Sequence, residues 1–398
     1  MARRYSSTTL LWFIVKLLSL CLLAMFLFTA CNPDRRFRYI SQDELQCRAN
    51  PWPLDHRGRW ERYPKLVAPY TKSYPEEVFL PLQQEGLLEA LMDHRTMLKR
   101  RNKKMRRKIA DRQMTRYDQL QVTTWLIECL ENKQAGHDSL DFYLSWGRDR
   151  RGNTYFTGYY TPIIQGKRSK DGAFKHAIYG RPRQWKGKLP SRHQIEAEKA
   201  LAGKGLELAY TNDPLELYYM HLQGSGMVQM VDEKENRLFA YDGTNKKRYR
   251  SIERILSRSG VNDVSIDGLR RHFKKYPQRR DSVLNLNPSY VFFREGEERV
   301  IGSGGVPLVD FTSVAADPDI YPLGTILLAT VPRYSSETGL LLGHDWRILL
   351  VQDKGGAING RGHLDFYCGT GDEARKMASQ HHHYGRIWVV LPKVISKE

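Results

Sequence analysis

Residues 349–369 read Leu349-Leu-Val-Gln-Asp353-Lys-Gly-Gly-Ala-Ile-Asn-Gly-Arg-Gly-His363-Leu-Asp365-Phe-Tyr-Cys-Gly369, and most inferences about this chain start from them. An apolar run that ends at Asp353 predicts one strand, and the extended run around Asp365 predicts a second. Because alternate residues of a strand share a face, His363, Asp365 and Tyr367 should line one face. The opposite, apolar face should carry Leu364, Phe366 and Cys368.

Asp365 is the candidate general acid of this segment. A carboxyl group backed by an apolar face is partly shielded from water, which raises its pKa as acid catalysis requires. Asp353 supplies a second carboxylate, and Gly355 and Gly356 should permit backbone angles that a side chain forbids. Two interpretations remain open from the residues alone: both acids serve turns, or they form a glycosidase pair whose separation in space the sequence does not give.

The rest of the chain is typical of a mainly β protein. From about residue 136, short runs of Val, Ile, Leu, Tyr and Phe alternate with turn residues, as in 155–160 and 387–391. Helical spacing of apolar residues appears in 76–135 and again in about 249–277. We therefore predict β barrels or sandwiches, with helices at the front and in the middle.

Composition narrows the class of protein. The 398 residues permit two or three domains, and 41% hydrophobic residues exclude a disordered chain. The formal charge of +19 indicates an anionic partner. Eight of the ten residues 99–108 are basic, and they predict either a solvated helix face or a contact with anionic cell wall or lipid headgroups. A nucleic-acid partner is disfavoured, because an exported protein rarely meets one.

The N-terminus resembles a bacterial lipoprotein signal. A basic start, an apolar run and small residues precede Cys31, so we expect residues 1–30 to be removed and Cys31 to be lipidated. An uncleaved signal anchor is the alternative, and Lys16 within the apolar run argues against it. Asn32 predicts sorting to the outer membrane, with the chain on the periplasmic face. Residues 31–75 read as a tether or irregular segment.

Cofactor motifs are scarce. The five cysteines contain no CxxC pair, so a zinc ribbon is disfavoured, and any disulfide pairing is left open. His381, His382 and His383 are consecutive and should not converge on one ion. Gly224-Ser225-Gly226 lacks the full nucleophile elbow and predicts a tight turn at a binding surface. We expect neither a metal nor a cofactor.

Several short motifs follow one another along the chain in a characteristic order. They are 157–162 (TGYYTP), 222–226 (LQGSG), 249–252 (YRSI), 287–293 (NPSYVFF), 306–308 (VPL), 313–317 (SVAAD), 322–325 (PLGT), 353–358 (DKGGAI), Asp365 and 383–386 (HYGR). This series closely resembles the membrane-bound lytic murein transglycosylase A family, including its three-aspartate domain, over roughly residues 150–392. The chain departs from that pattern at Lys354 and Cys368, and in the basic stretch 99–108.

The resemblance implies a fold and a domain plan. It implies a double-psi β-barrel domain built from residues 76–162 and 304–398, including the N-terminal helices. A second β domain, residues 163–303, would be inserted into it and would form the other wall of a groove for a glycan strand.

The resemblance also implies an activity. The bond between N-acetylmuramic acid and N-acetylglucosamine would be cleaved with formation of a 1,6-anhydro end. Asp365 would be the catalytic acid and then base, Asp353 the supporting aspartate and Asp317 a structural acid. Substrate-binding residues would be Tyr159, Tyr160, Gln223, Ser225, Gly355, Gly356, His363 and Tyr367.

The implied partners are peptidoglycan strands, the outer membrane through the lipid anchor, and cell-wall enzyme complexes, but not nucleic acid. Two alternatives stay open. One is an inverting hydrolase in which Asp353 activates water. The other is a barrel that binds glycan without cleaving it.

Overall fold

The computed structural model describes residues 70–394, apart from 73–74, 76–81, 83, 102–103, 134–135, 137, 148–151, 297, 336–337 and 339. The expected signal peptide, Cys31 and most of the tether lie outside these residues. Among the helices of the described part, none is both long enough and apolar enough to cross a membrane.

The strands are β1 (Tyr70–Lys72), β2 (Arg106–Ile109), β3 (Arg112–Thr115), β4 (Leu140–Ser145), β5 (Thr154–Thr161), β6 (Ile163–Lys167), β7 (His176–Tyr179), β8 (Glu207–Thr211), β9 (Gly226–Met230), β10 (Glu235–Thr244), β11 (Val291–Glu295), β12 (Ser313–Ala315), β13 (Ile326–Tyr334), β14 (Leu341–Asp353), β15 (His363–Thr370) and β16 (His382–Pro392). The helices are α1 (Leu87–Arg100), α2 (Arg116–Glu131), α3 (Arg192–Glu196), α4 (Pro214–Gln223), α5 (Ile252–Arg258), α6 (Ile266–Lys275), α7 (Pro277–Leu284) and α8 (Gly371–Gln380).

The larger sheet is nearly closed and barrel-like. Its order is β1-β4-β16-β13-β14-β12-β15-β5, and β16 also pairs with β5, which brings the sheet back on itself. Val314, Leu349, Leu364 and Phe366 are all buried in one core cluster. Alternate apolar residues of several strands thus fill one interior. The expectation of a mainly β fold is confirmed.

The second sheet is drawn from the middle of the chain. Its six strands have the order β11-β10-β9-β6-β8-β7, and a further bridge joins Gly180 to Phe293. Pro162 alone separates β5 of the first sheet from β6 of the second. The expected helical segment at about 249–277 is confirmed as α5 and α6.

The segment 76–135 is only partly helical, which corrects the sequence prediction. Helix α1 ends at Arg100, and the basic stretch continues into the β2–β3 hairpin rather than along a helix face. The hairpin alternates in burial, because Ile109 and Met114 pack into the barrel core while Arg106 and Lys108 are exposed. Because this segment is rich in charged residues, its alternation of buried and exposed positions does not show as a hydrophobic pattern in the sequence.

Candidate functional site

The two acids of the defining segment lie on either side of the short strand β12. Ala315 pairs with Asp353 of β14 in the parallel direction and with Asp365 of β15 in the antiparallel direction. Two strand spacings separate the backbones at these acids, about 10 Å. Asp353 and Asp365 are both partly exposed.

Asp365 has one fixed and one open carboxylate oxygen. Its Oδ1 accepts a hydrogen bond from the Thr157 hydroxyl at 2.7 Å, and Thr157 Oγ1 lies 3.0 Å from His363 Nε2. Among the described residues, no group donates to its Oδ2. Burial raises the pKa of Asp365 to about 6, with the Thr157 hydrogen bond opposing and the charge of Asp353 adding to the shift. An acid with this pKa can exchange protons near neutral pH.

Asp353 is surrounded by donors. Its Oδ1 accepts from the Ser303 backbone N–H at 2.9 Å, the Ser303 hydroxyl at 2.6 Å and the Lys354 N–H at 2.9 Å. Its Oδ2 accepts from the Tyr159 hydroxyl at 3.0 Å. Three donors converge on Oδ1, whereas Oδ2 accepts one hydrogen bond and keeps a lone pair. These four hydrogen bonds fix the orientation of the carboxylate.

Tyrosines connect the two acids to the strand β5. Burial and the charges of Asp353 and Asp365 hold the pKa of Tyr159 well above its ordinary value, so its hydroxyl remains a donor. The Tyr159 ring packs on Tyr367 with a centroid distance of 5.3 Å. Tyr367 is only 3% exposed and its hydroxyl lies 3.0 Å from Thr161 Oγ1. Its evident role is therefore to support Tyr159.

The other expected binding residues lie at the junction of the two sheets. Tyr160 is buried, and its backbone N–H donates to Gln223 Oε1 at 3.1 Å, which ties β5 to the end of α4. Gly224 ends α4 with φ +86°, and the partly exposed Ser225 follows it. The left-handed backbone at Gly224 fits the predicted tight turn.

The paired glycines do not have the backbone angles that the sequence predicted. Neither Gly355 nor Gly356 has a positive φ, whereas Gly360 has φ +83°. Gly355 is instead a close contact, since a Cβ there would lie 2.7 Å from Ile358 Cγ1. The Gly360 N–H donates to Asp317 Oδ2 at 2.8 Å, so Asp317 holds the turn that joins the two acid-bearing strands.

Two residues of the site were missed by sequence reasoning. Thr157 pairs in register with Asp365 across β5 and β15, and Ser303 gives two of the four donors to Asp353. Thr157 lies in the quoted motif 157–162 without an assigned role. Only a correct prediction of parallel pairing between β5 and β15 could have singled it out.

Metal ligands do not assemble in the described part of the chain. It holds no group of three or more His, Cys, Asp or Glu side chains placed to bind an ion. His381 Nδ1 donates to the Met377 carbonyl at 2.8 Å, and its ring stacks on Phe366. Cys129 and Cys368 are both buried and do not form a disulfide with each other.

Comparison with known proteins places these features in a family. Family models match at residues 155–294, described as an MltA specific insert domain, and at 312–391, described as a 3D domain. Membrane-bound lytic murein transglycosylase A of Escherichia coli K12 is 37% identical over 274 residues, which cover 68% of this chain and 74% of the relative. The Vibrio cholerae protein of the same name is 35% identical, covering 67% and 73%.

A solved structure agrees with the sequence comparison. The crystal structure of E. coli MltA with bound chitohexaose superposes with a TM-score of 0.70 at 31% identity, covering 82% of this chain and 95% of that chain. Identity at this level over most of both chains goes beyond a shared fold. This chain belongs to the family of membrane-bound lytic murein transglycosylase A.

Proposed function

We propose that this chain is a peptidoglycan lytic transglycosylase that cleaves the β-1,4 bond between N-acetylmuramic acid and N-acetylglucosamine. The observation that carries the proposal is the state of Asp365. One oxygen is fixed by Thr157, the other has no partner in the described part, and the pKa is raised to about 6. A single group poised in this way can give a proton and take one back.

In the first step, protonated Asp365 donates its proton to the glycosidic oxygen. The bond between that oxygen and the anomeric carbon breaks, and positive charge develops on the sugar ring. The Asp365 carboxylate left behind, and the charge of Asp353 one strand beyond β12, then lie near a developing cation. Both charges stabilise it in a partly dry site.

In the second step, the 6-hydroxyl of the same muramic residue attacks the anomeric carbon. Asp365 takes the hydroxyl proton, a new bond forms between O6 and the anomeric carbon, and a 1,6-anhydro end results. No water is consumed, and the acid returns to its starting state. Because the nucleophile is part of the ring it attacks, its effective concentration is very high.

The environment of Asp353 supports this reaction over an inverting hydrolysis. A general base for water must be able to turn a lone pair toward the water molecule. Asp353 already accepts from Ser303, Lys354 and Tyr159. These donors fix the orientation of the carboxylate, which suits an electrostatic and positioning role, and we assign proton transfer to Asp365 alone.

The decisive experiment is the mass of the product released from purified murein. Transglycosylation gives an anhydro product that lacks one water relative to the hydrolytic product. A hydrolytic product would overturn the proposal. In the same assay, Asp365→Asn should lower turnover by about 10³-fold or more while murein binding persists, and Asp345→Asn, at an acid of the exposed Arg333–Asp345 pair, is the control. Full activity in Asp365→Asn would reject the assigned acid.

We infer that the binding groove runs between the two sheets. In this proposal a double-psi barrel of 76–162 and 304–398 faces an inserted domain of 163–303. Binding of chitohexaose by the E. coli relative supports a glycan site in this fold. The residues proposed to form the glycan site are Tyr159, Tyr160, Gln223, Ser225, Gly355, Gly356, His363 and Tyr367. Tyr160 and Tyr367 are buried and would support the residues that touch the glycan.

We further propose that a lipid on Cys31 anchors the chain to the periplasmic face of the outer membrane, where it works with other cell-wall enzymes. The printed name of the relatives, membrane-bound, supports an anchor. Replacing Cys31 by Ser should abolish lipid labelling and shift the protein from the membrane fraction. Unchanged labelling would exclude this anchor.

A further inference from the structure

A basic cavity lies in the second sheet, away from the two acids. Its volume is about 630 Å³, within the range of ligand pockets. The loop after β7 and the end of β10 converge on it from segments some sixty residues apart. Its lining includes Arg181, Arg183, Lys188, Lys246, Lys247 and Trp185, and no acidic residue lines it.

The charge of this cavity differs from that of a second, larger cavity of the described residues. The larger cavity, about 800 Å³, balances its charges. Its lining has three cations and three acids, namely Arg270, Lys274 and Arg280 with Asp213, Glu216 and Asp372. A solvated surface needs no such segregation. Several like charges around one concavity repel each other, and this cost is offset when an anion enters.

Most of the cations that line the cavity form no ion pair with a described residue. Arg183 is occupied, since it donates to both carboxylate oxygens of Asp242 at 2.7 and 2.8 Å. Lys188, Lys246 and Lys247 form no ion pair with any described residue. Lys188 and Lys246 are exposed, so their ammonium groups can reach a ligand.

The floor of the cavity is rigid. Asn245 is 3% exposed, and its Nδ2 donates to the carbonyls of Pro190 and Pro288 at 2.9 and 2.8 Å. Its Oδ1 accepts from the backbone N–H groups of Tyr290 and Lys247. The next residue, Lys246, has φ +58°, a left-handed conformation that is strained for a lysine.

An exposed tyrosine of β10 lies beside the turn that carries Ser225. Tyr241 precedes Asp242 on β10 and is 53% exposed. A Cβ built on Gly224 would lie 3.9 Å from its ring, and Tyr241 precedes Asn245 of the cavity lining by four residues on the same chain segment.

We propose that this cavity binds carboxylate groups of the substrate polymer as a non-catalytic anchoring site. The inference rests on the proposed function, because muramic acid and its attached peptides supply the carboxylates. The Trp185 ring offers an apolar wall beside the cations. Recognition by charge would separate murein from neutral glycans of the same backbone.

The test uses the full chain carrying Asp365→Asn, so that the polymer stays intact. Lys188→Gln with Lys246→Gln is compared with Lys170→Gln with Lys175→Gln. The control pair precedes β7, whereas the cavity follows its other end, and Lys170 and Lys175 are exposed as well. The affinity for purified murein sacculi is measured at low and high salt, and again with sacculi whose carboxyl groups are converted to amides.

We expect the cavity variant to bind intact sacculi about five- to tenfold more weakly at low salt, with the control within twofold. High salt or amidated sacculi should remove the difference between them. Equal binding of both variants, or an equal loss on amidated sacculi, would overturn the anchoring site. The binding results do not affect the mass of the product, which is the separate test of the proposed function.

Discussion

Asp353 and Asp365 pair with the same residue, Ala315, from opposite sides of β12. Their side chains do not share a hydrogen bond, yet the charge of Asp353 contributes to the raised pKa of Asp365. Asp353 is held by four hydrogen bonds, while Asp365 keeps an oxygen with no donor among the described residues. The strand between them thus separates an electrostatic role from a proton-transfer role.

Replacing Thr157 by Val removes the hydroxyl that donates to Asp365 Oδ1 while keeping the side-chain volume. Because this hydrogen bond lowers the pKa of Asp365, its loss should raise that pKa. The alkaline limb of the pH–rate profile should move to higher pH, with the rate falling about tenfold from lost positioning. Thr157→Ser, which keeps the hydroxyl, should leave the limb in place. A limb that moves equally in both variants would contradict the argument.

Replacing Asp353 by Asn should move the same limb in the opposite direction. The negative charge of Asp353 raises the pKa of Asp365, so neutralising it lowers that pKa and reduces the protonated fraction at a given pH. Turnover should also fall, because the amide nitrogen cannot accept from Ser303 or Tyr159. The pH–rate profiles of the native chain and this variant decide the matter, and an unmoved limb would show that the two acids are uncoupled.

The raised pKa of Asp365 should destabilise the folded state at neutral pH. Its pKa of about 6 exceeds the ordinary value of 3.8, so the native state binds its proton more tightly than the unfolded state. Stability is therefore lost as the pH rises from about 4 to about 6. Asp365→Asn should be more stable than the native chain above pH 6, by about 1–2 kcal/mol after allowing for partial exposure. The gain should vanish below pH 4 in thermal unfolding, and a gain independent of pH would contradict the assigned pKa.

The strands around the acids could be predicted because their apolar runs are long. The runs that end at Asp353 and contain Asp365 formed as expected, with Leu364 and Phe366 in the barrel core. Local pattern sufficed there, since burial on one face leaves a period of two. Tyr367 shows the limit of the pattern, because a residue of the polar face is buried by Tyr159 from another strand.

Pairing between distant strands could not be predicted from the residues. Thr157 reaches Asp365 across more than two hundred residues, and Ser303 reaches Asp353 across fifty. Such contacts follow from the order of strands in the closed sheet, which no local spacing encodes. The β2–β3 hairpin could not be predicted for another reason. Arg106 and Lys108 fit an exposed helix face equally well, and only the burial of Ile109 shows that the segment is a strand.

Glycine positions give a test of packing that is independent of the chemistry. A Cβ on Gly385 would lie 1.9 Å from the Thr330 carbonyl oxygen and 2.9 Å from the Phe156 ring. Both neighbours belong to the barrel and cannot move without breaking strand pairing, so Gly385→Ala should destabilise the fold by about 3 kcal/mol or more. Gly356→Ala is the matched control, because no atom lies within 4 Å of its Cβ position and its φ is not left-handed. It should change the free energy of unfolding by no more than about 0.5 kcal/mol. Similar unfolding midpoints for the two variants in denaturant would show that β16 does not approach β13 and β5 as closely as described.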